Sequence, residues 1–430
     1  MIQLCPSIMK KQLKDVFRPL FPQVLINYLF HLPKAFLASR IYGNPSADLE
    51  IIGVTGTDGK TTTTTLIYHI LKIAKKKVAM VSTIEAKIGK KSLKTGFHVT
   101  SPDPFSLQKF LRMMRSQKIR YVVLEMTSHG LDQFRFYPIK PSIAVLTNIT
   151  HEHLDYHKTF DKYKDAKLKL FRHAKYAVVN KDLSTFQDLN RRLSKVLFST
   201  YSIDQESQLR PSHVEYGVGY TKFNIGKIEY MVPLTGRYNL ENTLAAISTA
   251  LLLDIAPSEI KKALMSFPGL KGRFETVEND RGINSIVDFA HTPNALREVL
   301  QNVRSQMSQG QRLIVVFGSA GLRDESKRPL MGQAASEFAD EIVLTAEDPR
   351  TEDPGAIAAA IQSGIAKKKL KLVHVELDRQ AAIDLAINKL AKAGDWVVCA
   401  GKGHEESMCY GTVETPWSDR VAVETALTNK

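Results

Sequence analysis

The segment Gly53-Val54-Thr55-Gly56-Thr57-Asp58-Gly59-Lys60-Thr61-Thr62 joins an apolar run, Ile51–Val54, to a stretch with apolar residues at Leu66, Ile70 and Ile73. A glycine-rich turn between a strand and a helix turns backbone N–H groups and a helix N-terminus outward, an arrangement that cradles phosphate oxygens. Lys60 is placed to neutralise the β- and γ-phosphates of a nucleotide, and the Thr61 hydroxyl to reach Mg2+. Position 54 holds Val where the strict phosphate-loop pattern has Gly, so the loop is a variant anchored by Gly56 and Gly59. The rival reading is a glycine-rich turn with an incidental lysine. Even as a phosphate loop, the segment alone would suit a kinase, a GTPase or a transport ATPase.

Further residues able to do chemistry follow in order. Glu125 ends an apolar run in Leu124-Glu-Met-Thr127-Ser-His-Gly-Leu131, and His153 lies in Thr147-Asn-Ile-Thr-His-Glu152-His153-Leu-Asp155. Lys167 lies in the amphipathic Tyr163-Lys-Asp-Ala-Lys167-Leu-Lys-Leu-Phe171. Asn242 lies in Gly236-Arg-Tyr-Asn-Leu-Glu-Asn242, followed by Gly272-Arg273-Phe-Glu275 and Asp288-Phe289-Ala-His291-Thr-Pro293. The last third adds Gly318-Ser-Ala-Gly-Leu-Arg323-Asp324, Glu347-Asp348-Pro-Arg350 and Gly401-Lys-Gly-His404-Glu405. Taken singly, His153 reads as a capping residue, Lys167 as a solvated helix lysine and Asn242 as a surface residue.

The elements that must position these residues alternate. Short apolar runs at Ile51–Val54, Tyr121–Glu125, Ile143–Asn148 and Tyr176–Asn180 read as buried parallel strands, because helical patterns separate them. Leu107, Phe110, Leu111 and Met114 recur at the spacing of a helix with one buried face. A second alternating set runs through Leu313–Gly318, Ile342–Thr345, Val373–Glu376 and Trp396–Ala400. Each strand ends in a polar or glycine-rich loop, and doubly wound α/β units put their working loops at the carboxyl ends of their strands. The expected fold is α/β: a central phosphate-loop ATPase domain with a mostly parallel sheet over residues 49–271, then a Rossmann-like domain over 272–430. The boundary falls near Gly269–Gly272, and residues 1–48 form a short, mostly helical N-terminal segment.

Composition narrows the classes. The net charge of +15 could suit nucleic acid. The lysines are dispersed, however, with no interleaved aromatics to stack bases, so a positive field for an anionic substrate is the better reading. Cys5, Cys399 and Cys409 form no CxxC pair, which excludes a zinc ribbon or disulfide framework and fits a reducing, cytoplasmic setting. Leu20–Ala38 is apolar but interrupted by Pro22, His31, Pro33 and Lys34, too broken to span a bilayer. Packing against the next domain is the expectation for that stretch, with rest on a membrane surface as the alternative.

Together the motifs, in this order from about residue 50 to the C-terminus, resemble the Mur ligase superfamily, and within it the members that add a diamino acid. The resemblance implies an ATP- and Mg2+-dependent amide ligase of peptidoglycan precursor synthesis, working as a cytoplasmic monomer through an acyl phosphate. It assigns ATP to Gly56, Thr57, Asp58, Gly59, Lys60, Thr61, Thr62, Asn242, Arg273, Asp288 and His291. Thr61 and Glu125 would hold one Mg2+ and His153 a second. Lys167 matches the family's carbamylated lysine, whose CO2 adduct turns a cation into a carboxylate-like ligand suited to a hard metal. Lys60, Glu125, His153 and Lys167 make up the catalytic set.

The acceptor implied is UDP-N-acetylmuramoyl-L-alanyl-D-glutamate, on Thr100, Ser101, Thr127 and Arg135. The incoming diamino acid would meet Arg323, Asp348, Arg350, Gly401 and Glu405. Arg350 favours meso-diaminopimelate, with its distal carboxylate, over L-lysine; Asp348, where the diaminopimelate-adding members have Asn, argues the other way. Asp58 for Asn, Glu152 for Asp and Phe289 for Tyr are further departures. In the family the phosphate loop follows a complete UDP-binding domain, whereas only about fifty residues precede Lys60 here. Recognition of uridine is therefore expected to be reduced or rebuilt. The rivals are a folylpolyglutamate- or cyanophycin-type ligase, a phosphate-loop ATPase acting on a partner, and an inactive scaffold.

Overall fold

The computed structural model describes residues 3–4, 22–94, 101–150 and 152–429. It forms two compact units, one from Phe17 to Pro268 and the other from Gly269 onward together with the N-terminal strand Gln3–Leu4. The strand Gln3–Leu4 pairs with Val413–Pro416 of the second unit.

In the first unit an eight-stranded sheet runs in the order Lys91–Lys94, Glu85–Ile88, Val78–Val81, Tyr121–Glu125, Glu50–Thr55, Ile143–Leu146, Tyr176–Asn180, Leu197–Tyr201. The six strands from Val78–Val81 onward are parallel, and the first two form an antiparallel edge. Tyr121–Glu125 and Ile143–Leu146 are buried along their whole length, as expected of strands covered on both faces. Glu50–Thr55 lies between them, so three carboxyl ends stand side by side at the centre of the sheet. The helix Lys60–Ile73 follows the central strand and packs against Arg237–Leu251. Asp103 caps the helix Pro104–Ser116 by accepting from the Phe105 N–H. A three-stranded antiparallel sheet, Ser212–Gly217, Tyr220–Ile225 and Ile228–Val232, completes this unit.

The N-terminal stretch packs against the domain that follows, as expected, with the helix Leu32–Ile41 against Pro104–Ser116, but its large apolar side chains stay mostly exposed. Gln23–Ile26, a π-helical turn Asn27–His31 and Leu32–Ile41 run on as one helical segment. Its buried residues are the small or polar Asn27, Ala35, Ala38 and Ser39, whereas Val24, Tyr28, Leu29, Phe30, Leu37 and Ile41 face outward. No helix among the described residues is long and apolar enough to cross a membrane.

The second unit is a six-stranded sheet in the order Glu275–Val277, Asn284–Asp288, Trp396–Ala400, Leu313–Phe317, Glu341–Leu344, Val373–Val375, antiparallel only at its first pair. Leu313–Phe317 and Trp396–Ala400 are buried throughout, and the loops after Asp288, Phe317, Leu344 and Ala400 leave the same edge of the sheet. Cys399 and Cys409 are buried free thiols.

Candidate active site

The phosphate-loop segment is held open by its glycines. Gly59 has φ +78°, and a Cβ there would stand 2.1 Å from Asn242 Oδ1; at Gly56 one would stand 1.8 Å from Thr147 Oγ1. Asn242 is therefore buried against the back of the loop. From the neighbouring strand end, Asn148 Oδ1 accepts from the N–H groups of Thr57 (3.1 Å) and Asp58 (2.8 Å). Thr147 Oγ1 donates to the Asp58 carbonyl at 2.6 Å. No side chain caps the helix that starts at Lys60, so its N-terminus keeps its positive end for a phosphate. Lys60 Nζ donates to the Thr57 carbonyl at 2.6 Å.

Thr61 and Glu125 meet. The Thr61 hydroxyl lies 3.1 and 3.0 Å from the two carboxylate oxygens of Glu125. That carboxylate also accepts from Thr83 N (2.9 Å) and Thr83 Oγ1 (2.8 Å). Among the described residues no three His, Cys, Asp or Glu side chains form a metal cage. A hydroxyl and one oriented carboxylate are nevertheless what Mg2+ takes from protein when substrate phosphates and water complete its shell. The donor set therefore fits Mg2+ with ATP.

Lys167 is fully buried on the helix Phe160–Leu168, which tightens into a 3-10 turn at Lys169–His173. Its Nζ donates to the Gly56 carbonyl at 2.5 Å and sits 4.3 Å from the centre of the Tyr163 ring. Burial first, then the charge of Lys60, hold its pKa well below the usual lysine range. The Tyr163 hydroxyl bonds Thr57 Oγ1 at 2.9 Å. His153, in the left-handed region at φ +57°, packs at 6.2 Å against the same Tyr163 ring and at 4.7 Å against His129. Tyr163 thus contacts both Lys167 and His153.

Ser101, Thr127 and Arg135 form a second group on this unit. The Ser101 and Thr127 hydroxyls are 2.8 Å apart, and Arg135 Nη1 donates to the Ser101 carbonyl at 2.9 Å. Thr127 also caps the short helix Ser128–Asp132. Thr100 lies outside the described residues.

In the second unit the guanidinium of Arg273 stacks over Phe289, 4.5 Å from its centre, with His291 and His404 on the same ring at 4.4 and 4.8 Å. Phe289 lacks a tyrosine hydroxyl yet keeps the face that carries Arg273. Asp288 is buried with its oxygens bound to the N–H groups of Phe274 (2.6 Å) and Ala290 (2.8 Å), so it ties these two loops together. Burial, and then the Arg273 charge, push His404 down to about 3. Arg273 Nε, His404 Nδ1, Glu347 Oε2 and Ser319 Oγ are buried here without hydrogen-bond partners, the condition of a surface built for a polar ligand.

The residues expected to receive the amino acid form a ladder of alternating charge. Arg350 Nη2 lies 3.9 Å from Asp348 Oδ2, Asp348 Oδ1 lies 2.9 Å from Lys402 Nζ, and Lys402 Nζ lies 2.5 Å from Glu405 Oε2. Asp348 (φ +44°) and Arg350 (φ +54°) both adopt the left-handed backbone conformation. Gly401 could carry no Cβ, since one would stand 2.1 Å from Glu347 Oε2. Arg323 is exposed on the loop after Phe317.

Sequence reading passed over Thr83, Asn148, Tyr163 and Lys402. Thr83 and Asn148 follow the ends of the parallel strands Val78–Val81 and Ile143–Leu146, so the rule on strand ends could have found them. Lys402 stood inside a quoted motif, but only its burial beside Asp348 sets it apart.

Comparison with known proteins follows the same division. Residues 54–250 match the Mur ligase middle domain, and residues 272–403 match the Mur ligase, glutamate ligase domain. The UDP-N-acetylmuramoyl-L-alanyl-D-glutamate--2,6-diaminopimelate ligase of Syntrophomonas wolfei is 39% identical over 380 residues, which is 86% of this chain and 76% of that protein. A solved ligase of the same description superposes with a TM-score of 0.61 at 32% identity, covering 94% of this chain and 82% of the other. Mycobacterium tuberculosis folylpolyglutamate synthase gives a TM-score of 0.70 over 93% of this chain and 96% of its own; at 15% identity it shares the fold alone.

Proposed function

The chain belongs to the Mur ligase family, and from that premise we propose that it joins meso-diaminopimelate to UDP-N-acetylmuramoyl-L-alanyl-D-glutamate, converting ATP to ADP and phosphate. The observation that carries the choice of amino acid is the ladder Arg350–Asp348–Lys402–Glu405. Asp348 is buried and bound through one oxygen to both Lys402 Nζ and the Cys409 N–H, so it is not a spare anion waiting for a lysine ammonium. The ladder ends in a guanidinium on one side and a carboxylate on the other. The distal centre of diaminopimelate carries a carboxylate for the first and an ammonium for the second, whereas L-lysine offers only the ammonium. In this reading residues 49–271 bind ATP and the acceptor, and residues 272–430 bind the incoming amino acid, in the cytoplasm.

The chemistry follows from positioning and charge. The acceptor carboxylate attacks the γ-phosphorus, the bond to ADP breaks, and an acyl phosphate forms. The diaminopimelate amine then attacks the acyl carbon and loses its proton as inorganic phosphate departs. Mg2+, held by Thr61 and Glu125, would neutralise charge building on the transferring phosphoryl group. Lys60 and the helix N-terminus at Lys60–Thr62 do the same from the protein side. Ser101, Thr127 and Arg135 orient the acceptor. No side-chain nucleophile is needed.

We assign Lys167 as the site of a carbamate. Burial and the charge of Lys60 lower its pKa well below the lysine range, which favours the neutral amine, and a neutral amine nitrogen can bond the carbon of CO2 and release a proton. The resulting anion would join His153 as a metal ligand, in place of an amine that donates to the Gly56 carbonyl.

The test is a phosphate-release assay with UDP-muramoyl dipeptide and a panel of amino acids. Release should depend on diaminopimelate. Release without any amino acid would indicate an ATPase acting on a partner, and a preference for lysine would overturn the assignment of the amino acid.

A further inference from the structure

The helical segment Gln23–Ile41 is amphipathic in the inverted sense. Its buried side is built of Asn27, Ala35, Ala38 and Ser39, and Asn27 Nδ2 anchors it through a 2.8 Å bond to Asp132 Oδ2. Its outer side carries Val24, Tyr28, Leu29, Phe30, Leu37 and Ile41, exposed by between 53% (Leu37) and 69% (Leu29). Large apolar side chains gathered on one exposed face mark a surface that is covered in use. Arg40 lies over the Phe36 ring at 5.1 Å, and Lys34 is half-buried on the same helix.

Charge discriminates among the possible covers. From Val16 to Ala47 the chain has no Asp or Glu, and before that Asp15 stands alone against Lys10, Lys11 and Lys14. A second copy packed through the same helix would offer no acidic side chain from that helix to meet Lys34 and Arg40. The chain's own first residues carry the same positive excess and would meet like with like. A soluble anion satisfies the cations but leaves the apolar face in water. An anionic bilayer satisfies both, taking the apolar side chains into its interfacial region while Lys34 and Arg40 reach the lipid phosphates.

We infer that the outward face of Gln23–Ile41 docks this protein on an anionic lipid surface, with the helix lying in the interface plane. Vesicle co-sedimentation of the full chain tests this. The protein should sediment with phosphatidylcholine–phosphatidylglycerol vesicles and much less with phosphatidylcholine alone, and added salt should weaken binding. The triple variant Leu29→Ser, Phe30→Ser, Leu37→Ser should lose binding to the mixed vesicles by about tenfold or more, since each side chain gives up most of its buried apolar area. Lys34→Glu with Arg40→Glu should abolish the preference for phosphatidylglycerol. Both variants should keep amide formation on soluble substrates.

Wild-type protein that stays in the supernatant overturns the inference, as does a triple variant that binds like the wild type. A triple variant that converts a dimer to a monomer in light scattering, with no lipid binding by the wild type, would assign the face to a second copy. One that loses thermal stability as a core substitution would, again with no lipid binding by the wild type, would assign it to the chain's own first residues. Either result overturns lipid docking.

Discussion

Lys402 Nζ lies 2.9 Å from Asp348 Oδ1, with the lysine side chain wholly buried and the aspartate nearly so. The pair joins the loops after Glu341–Leu344 and Trp396–Ala400, two strands with Leu313–Phe317 between them, and Asp348 Oδ1 also accepts from the Cys409 N–H at 3.0 Å. Lys402→Met should strand Asp348 and cost about 3–5 kcal/mol, as for other broken buried pairs. Thermal unfolding of the variant reads that loss. Lys402→Met with Asp348→Asn should recover much of the stability but not the affinity for diaminopimelate. A single variant as stable as the wild type would show that the pair is not structural.

Arg350→Ala removes the guanidinium end of the ladder. It should lower kcat/KM for diaminopimelate by an order of magnitude or more, in keeping with a charged hydrogen bond worth about 1.5–3 kcal/mol. Activity on lysine should change far less. If lysine is the better wild-type substrate and the variant leaves that preference intact, Arg350 does not bind the distal carboxylate.

Thr83 aims the Glu125 carboxylate through two hydrogen bonds, at 2.9 and 2.8 Å. Thr83→Val keeps the shape and the N–H but deletes the hydroxyl. The Mg2+ concentration giving half-maximal activity should rise by about ten- to a hundredfold, the usual consequence of losing a partner that orients a metal ligand. Saturating Mg2+ should restore most of kcat. An unchanged Mg2+ titration would remove Thr83 from this role.

Lys167→Ala should abolish amide formation. Bicarbonate cannot restore it, because the amine that would take up CO2 is gone, whereas acetate or formate diffusing into the space should return a measurable fraction. Turnover near the wild-type rate would end the carbamate assignment.

Asp132 gives a pH dependence whose sign can be stated. Burial raises its pKa, but the hydrogen bond and charge of Lys169, with Tyr156 and Asn27, bring it below the usual carboxylate range. A carboxylate depressed in the folded state contributes stability above its unfolded value, about pH 4, and loses it as pH falls through the folded value. Thermal melts between roughly pH 7 and pH 3 should show an acid limb that Asp132→Asn flattens. Because Asp132 holds Asn27 at 2.8 Å, the variant should also loosen the N-terminal helix, read as faster amide exchange there. Identical acid limbs in both proteins would exclude Asp132 as the source.

Much of the chain was legible from order and type alone. Tyr121–Glu125 and Trp396–Ala400 could be read as strands because parallel strands covered on both faces must be apolar throughout. The loops at their ends announced themselves through Gly56, Gly59, Gly401 and charges no core would tolerate. Those signals are local, so twenty residues of sequence carry them. The tertiary structure decided what depends on distant neighbours. Lys167 and Asn242, ordinary surface types in a helix, are buried because the phosphate loop lies against them, Gly56 being 111 positions from Lys167. Thr83 matters through Glu125, 42 positions away, and Lys402 through Asp348, 54 positions away. The helix Gln23–Ile41 makes the same point in reverse. Its composition showed that it is apolar, but only packing decides which side of a helix meets the protein, and here small side chains fit against the body and large ones were left outside.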